Sequence, residues 1–199
     1  TSGETASLRL LYRGRVLGSL DRLGLRKRQV SVVKAHLQRP HGLVLVTGPT
    51  GSGKSTTLYN CLGDIADGKR NIITLEDPIE FDIDGLTQMQ INPAKDFTFA
   101  GGLRSILRQD PDVIMVGEIR DKETAKMTID AAMTGHLVFS TLHTIDTTTT
   151  IGRLSDLGVE AHRHAEAILA IISQRLIRLI CRNCSTTYTI TAEEMTDLD

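Results

Sequence analysis

The sequence predicts an α/β fold, a mainly parallel sheet covered by helices on both faces. Three observations carry that expectation. Four short runs, "LVLVT", "NIITL", "DVIMV" and "HLVFST", are continuously apolar, as strands buried on both faces must be. Segments of helical periodicity alternate with them, in the manner of β-α units. Glycines or unusual polar residues follow each run, at the edge of an open parallel sheet where ligands bind.

Residues 6–20 mix short apolar stretches with Arg and Gly and read as the last strand or two of a preceding domain. With a linker that segment takes up residues 1–25, and residues 26–199 form the main domain. The first residue is Thr1 and the end, "TAEEMTDLD", carries no structural signal, the expectation for a piece of a longer protein. A helix spans roughly Lys27 to Leu37 and Pro40 ends it. The first strand leads into a glycine loop and a helix, the second into an acidic cluster. Asp84-Gly85, between "IEFDI" and "LTQMQI", predicts a small β-hairpin insertion. Leu103, Ile106 and Leu107 sit at helical spacing, and Pro111 ends that helix just after Asp110. Past the third strand, Asp121 caps a helix whose apolar face is Ala125, Thr128, Ile129 and Ala132, and Gly135 suits its left-handed end. The fourth strand leads into "LHTID" and more helix, with Asp146 as the cap before the Thr147 to Thr150 run.

A chain of 199 residues can bury one large core. Its net charge of −1 provides no global basic field to attract nucleic acid or an anionic membrane. Trp is absent, and Arg104, Arg108, Arg120, Arg153, Arg175 and Arg178 are scattered without aromatic interleaving, which argues against a nucleic-acid stacking platform. Three cysteines are too few for a disulfide framework and suit a reducing cytoplasm.

The chemistry starts at Gly48-Pro49-Thr50-Gly51-Ser52-Gly53-Lys54-Ser55-Thr56, a full match to G-x-x-x-x-G-K-[ST] between a strand and a helix. Glycines let backbone N–H groups turn around phosphate oxygens, and the helix N-terminus adds partial positive charge. Lys54 is placed to reach the β and γ phosphates of ATP, and the Ser55 hydroxyl to ligate Mg²⁺. Glu76, Asp77 and Glu80 follow the second strand, Gly117 and Glu118 the third, and Ser140, Thr141 and His143 end or follow the fourth. Four acids beside a triphosphate require a cation, hence Mg²⁺. Glu118 is the candidate to orient water or help hold the metal, unless it pairs with Arg120 or caps the next helix. Glu76 competes for the same catalytic role. His143 is a candidate to sense the γ-phosphate or couple one site to another. If the protein works as a ring, an arginine from a neighbouring subunit completes the site, and Arg9, Arg13 and Arg15 could supply one. Cys181-x-x-Cys184 has the spacing of half a zinc site, but no second pair exists, and His162 and His164 fall on different faces of their helix.

From about Leu8 to Tyr188 the chain resembles the RecA-like P-loop motor domain of the secretion ATPases of type II secretion and type IV pilus assembly. "GPTGSGKST" (48–56) matches that family's Walker A block, "ITLEDPIEF" (73–81) its aspartate box and "LRQDPDVIMVGEIRD" (107–121) its Walker B region, in which Gly-Glu is a family mark. "TGHLVFSTLHTID" (134–146) matches its histidine box, and "QRLIRLICRNC" (174–184) the approach to its cysteine motif. The resemblance implies a homohexameric cytoplasmic ATPase, peripheral at the inner membrane and docked on a platform protein, with no nucleic-acid partner. It implies Lys54 and Ser55 at the phosphates and Mg²⁺, Glu118 as the Walker B glutamate, Glu76 in the aspartate box, and His136 and His143 in the histidine box. Ile145 stands where the family has Asn, which puts one polar contact in doubt, and Ser55 replaces the commoner Thr. The second cysteine pair of the family is absent, which puts zinc at Cys181 and Cys184 in doubt. A DNA-handling or conjugation-type ATPase and a pilus-retraction motor of the same superfamily are the alternatives; the cysteine pair and "EDPIEF" favour assembly or secretion.

Overall fold

A computed structural model describes residues 3, 4, 6 and 19–191. The strands are Gly42–Thr47 (β1), Ile72–Glu76 (β2), Thr87–Gln90 (β3), Val113–Val116 (β4), Leu137–Leu142 (β5) and Ile168–Ser173 (β6). The helices are Lys27–Leu37 (α1), Lys54–Ile65 (α2), Phe99–Ile106 (α3), Lys122–Met133 (α4), Thr147–Asp156 (α5) and Ala161–Ala167 (α6). The strands form one sheet in the order β3-β2-β4-β5-β1-β6, and every neighbouring pair is parallel.

Alternation along the strands sorts their side chains onto two faces. On one face Leu43, Leu45, Ile73, Leu75, Ile114 and Val116 pack with Leu103, Ile106, Ala125, Ile129 and Leu154 of α3, α4 and α5. On the other Val44, Val46, Ile72, Met115 and Phe139 pack with Val33, Leu37, Leu58 and Leu62 of α1 and α2. Both faces are thus covered, the arrangement that continuous apolar strands require. Because every strand runs the same way, all six C-terminal ends meet at one rim, and the loops after β1, β2, β4 and β5 share it.

The expected helix caps form. The Asp121 side chain accepts from Thr124 N at 2.8 Å, and Ala125, Thr128, Ile129 and Ala132 are buried beneath α4. Asp146 accepts from Thr149 N at 2.7 Å, so the threonine run is the first turn of α5. Leu20, in a single turn at Leu20–Arg22, is fully buried in the α1–α2 side of the core.

Three expectations give way. No hairpin forms at Asp84-Gly85: Gly85 turns the chain at φ +83°, but β3 pairs with β2 in parallel, and residues 79–83 leading into the turn form no strand. The Gln88 amide explains this, because it donates to Phe81 O at 2.9 Å and accepts from Ile83 N at 2.8 Å where a strand partner would otherwise be needed. Helix α3 stops at Ile106, not just before Pro111, because 3₁₀-type bonds from Arg108 N to Ser105 O and from Gln109 N to Ile106 O tighten its end. Asp110 then turns the chain at φ +49°. The stretch read as more helix after the fourth strand includes β6, an edge strand beside β1. The strands expected before Ser19, Arg9, Arg13 and Arg15 with them, and residues 192–199 of the cysteine segment lie outside the described residues. Among the described residues no helix is long and apolar enough to cross a membrane.

Candidate functional site

At the rim lies a cavity of about 600 Å³ whose lining runs from Thr50–Thr56 across to Glu76, Glu118 and His143. The glycine loop forms one wall. Gly48 has φ +148°, and a Cβ there would sit 2.4 Å from the carbonyl oxygen of Gln174, so only glycine fits. Gly53, at φ +83°, delivers the chain into α2, whose first N–H groups have no intrahelical acceptor. Lys54 is 8% exposed, and its Nζ donates to Gly48 O at 2.9 Å and Pro49 O at 3.0 Å. Burial lowers the Lys54 pKa from its ordinary value, and the negative charge of Glu118 opposes that shift. Ser52 Oγ is buried within the loop without a hydrogen-bond partner. An enclosed ammonium, an unpartnered hydroxyl and a helix N-terminus suit a phosphate chain.

The facing wall holds the acids. Glu118 follows β4 with its side chain 14% exposed; Arg120 Nη2 lies 2.5 Å from Oε1 and His143 Nε2 3.4 Å from Oε2. Arg120 also approaches Asp77 Oδ2 at 3.9 Å, and Glu118 raises its already high pKa. Hydroxyls of β5 secure the end of β4: Ser140 Oγ donates to Val116 O and Thr141 Oγ1 to Gly117 O, each at 2.7 Å. Gly117 runs close under β2, and a Cβ there would stand 3.1 Å from Leu75 O. That crowding explains why the turn carries Gly-Glu and only one carboxylate.

Glu76 lines the same cavity in a different state. It is 3% exposed and accepts from Tyr59 OH, from Thr74 Oγ1 at 2.5 Å and from Gln88 Nε2 at 3.0 Å. Tyr59 OH also accepts from Glu80 N at 3.3 Å, and burial followed by the Glu76 contact raises the phenol's pKa. The carboxylate thus joins α2, β2, β3 and the loop at Glu80. Asp77 and Glu80 line the cavity and are exposed.

Threonines brace the histidine loop to the base of the phosphate loop. Thr47 Oγ1 donates to Thr144 O at 2.7 Å, and the Thr144 and Thr150 hydroxyls are 2.6 Å apart. Ile145, where the family pattern has Asn, is exposed; its backbone carbonyl makes the local contacts, accepting from Ser173 Oγ and Arg175 Nη2 at 3.2 Å each. His136 stands at the other end of β5, seven residues and roughly 23 Å from His143 at strand rise, with Nδ1 2.9 Å from Ala131 O. The structure therefore separates the two histidines of the box. Tyr59, Gln88, Gln174 and Leu176 carry no local sequence signal of a place in the site, and Tyr59 reaches it from within the helix that Lys54 opens.

Ser55 and Glu118 both line the cavity with oxygen donors, the ligand chemistry of Mg²⁺ shared with phosphate. Cys181 and Cys184 are exposed, and the interaction between their side chains lowers the Cys181 pKa and raises that of Cys184. Among the described residues no group of three or more His, Cys, Asp or Glu could hold a metal, and His164 is buried while His162 is exposed. Two thiols alone do not fit a closed zinc site.

The family model described as type II/IV secretion system protein matches residues 1–198. The chain is 50% identical over 192 residues to type II secretion system protein E of Aeromonas hydrophila, covering 96% of this chain and 38% of that protein. Identity and coverage are the same for type II secretion system ATPase E of Vibrio cholerae. The chain thus spans little more than a third of these relatives. The crystal structure of the pilus retraction motor PilT with bound ADP is similar at TM-score 0.70 and 40% identity, over 83% of this chain and 50% of that one. With its parallel sheet, complete phosphate loop and these likenesses, the chain belongs to the type II/IV secretion system protein family.

Proposed function

We propose that the chain is the nucleotide-binding and hydrolysing part of a homohexameric ATPase that drives type II secretion or type IV pilus assembly. In this reading the motor works in the cytoplasm, against a platform protein of the inner membrane. The observation that carries it is the opposition, across one cavity, of enclosed Lys54 and the partly exposed carboxylate of Glu118. Loop N–H groups and Lys54 hold the phosphates, and the Ser55 hydroxyl offers a metal ligand. Mg²⁺ shared with the phosphates would neutralise charge that four acids otherwise make unfavourable. Glu118 orients the attacking water and accepts its proton, with His143 and Arg120 fixing the carboxylate. Glu76, tied by three donors, anchors the wall. Half-identity to type II secretion proteins supports secretion or assembly over retraction.

Binding of a fluorescent ATP analogue to this chain tests the reading. The wild type should bind in the presence of Mg²⁺, and Lys54→Ala should lose at least about tenfold in affinity, as removal of a charged hydrogen-bond donor predicts. Equal affinity in the two proteins would refute it.

A further inference from the structure

Gln174, the first residue after β6, touches the phosphate loop along its whole length. Its backbone N–H donates to Thr47 O at 3.0 Å, at the loop's entry. Its side-chain Nε2 donates to Ser52 O at 2.7 Å in mid-loop, and its Oε1 accepts from Thr57 Oγ1 at 2.8 Å in the first turn of α2. Two of the loop glycines are shaped to it: a Cβ on Gly48 would meet Gln174 O at 2.4 Å, and one on Gly53 would meet Nε2 at 3.2 Å. An amide is the group these partners call for, since one end must donate to a carbonyl while the other accepts from a hydroxyl. A carboxylate could serve only the second.

The residues on either side grip the opposite rim. Ser173 Oγ and Arg175 Nη2 both donate to Ile145 O, two residues past His143. Leu176 lines the cavity itself. Beyond it Ile177, Leu179 and Ile180 are at least 80% exposed, and the chain continues to Cys181 and Cys184. Residues 173–176 therefore join both rims of the nucleotide cavity to a segment that is otherwise open to solvent.

We propose that Gln174 is a positioning residue for the phosphate loop and that, through it, nucleotide in the cavity is felt by the Leu176–Cys184 segment. The second half rests on the nucleotide-binding reading above; the first does not. Coupling of this kind is reciprocal, so a loop ordered by phosphate must also order the segment attached to Gln174.

The test uses Gln174→Met, similar in length but lacking both polar groups, and Thr57→Val, which removes one of the same bonds from the other side. Hydrogen exchange over residues 48–57, measured without nucleotide, should speed up by roughly tenfold in Gln174→Met and by about fivefold in Thr57→Val, with α4 unchanged. Affinity for a non-hydrolysable ATP analogue with Mg²⁺ should fall by roughly tenfold in Gln174→Met. In the wild type the analogue should slow tryptic cleavage after Arg178 and Arg182 several-fold, and in Gln174→Met it should not. Wild-type exchange over 48–57 in both variants would overturn the positioning role. Identical protection of the segment by nucleotide in wild type and Gln174→Met would overturn the coupling. A wild type that binds no nucleotide would overturn the functional reading and the coupling with it, while the exchange measurement still decides the role of Gln174.

Discussion

The ends of β2 and β4 lie side by side in the sheet and each delivers a glutamate to the same cavity, yet the two carboxylates are held in opposite ways. Glu76 is enclosed and saturated by neutral donors from Tyr59, Thr74 and Gln88. Glu118 is reachable from solvent and faces the side chains of Arg120 and His143. A carboxylate whose lone pairs are spent on buried donors cannot readily accept a proton from water without breaking that network, whereas one at the mouth of a cavity can. Residue type is the same, although Glu76 ends β2 and Glu118 lies two residues past β4; under the proposed function their partners make the first an anchor and the second a base.

The largest expected effect falls on Glu118. In the full-length protein Glu118→Gln should cut ATP hydrolysis by roughly 10²–10⁴-fold while leaving ATP binding within a few-fold. Wild-type turnover in that variant would erase the distinction. For Glu76 the expectation is turned towards stability: Glu76→Ala leaves three donors unanswered in a buried place, and denaturant unfolding should show a loss of about 2–4 kcal/mol. If Glu76→Gln instead abolished hydrolysis as thoroughly as Glu118→Gln with its unfolding midpoint unmoved, the anchor would have to be called a base as well. The mildest change is Tyr59→Phe, which removes one donor from the network. It should cost about 1–2 kcal/mol in the same unfolding measurement and leave nucleotide affinity unchanged.

What could be read in advance follows the range of the interaction. Strands β1, β2, β4 and β5 announce themselves because both faces are buried, so their residues are apolar apart from a few hydroxyls and Glu76, mostly near the C-terminal ends. Asp121 and Asp146 were legible as caps because a cap bonds a backbone N–H three residues away. β6 was not, since α6 runs into it at Ala167–Ile168 with no Gly or Pro between them, and "AILAI" suits a buried helix as well as a strand. The phosphate loop and Glu118 were visible as a motif and as a position after a strand. The Tyr59–Glu76 and Gln174–Thr57 bonds span 17 and 117 residues, and no local pattern encodes them. Likewise the Asp84-Gly85 turn was readable, but its outcome depended on which edge β3 would join and on a glutamine side chain that fills in for a strand.

The strand order also sets a timetable for the molecule's biogenesis. Among the described residues β1, which leads into the phosphate loop, is the first strand in chain order, and its two neighbours in the sheet are the last two, β5 and β6. Gly42 waits for Leu137 and Thr47 for Ser173, so everything from β1 through β6 must leave the ribosome before that strand is enclosed. Distant pairings of this kind slow folding and keep apolar edges exposed meanwhile. A nascent chain halted before β6 would carry every residue of the glycine motif and still lack the strand that closes over it.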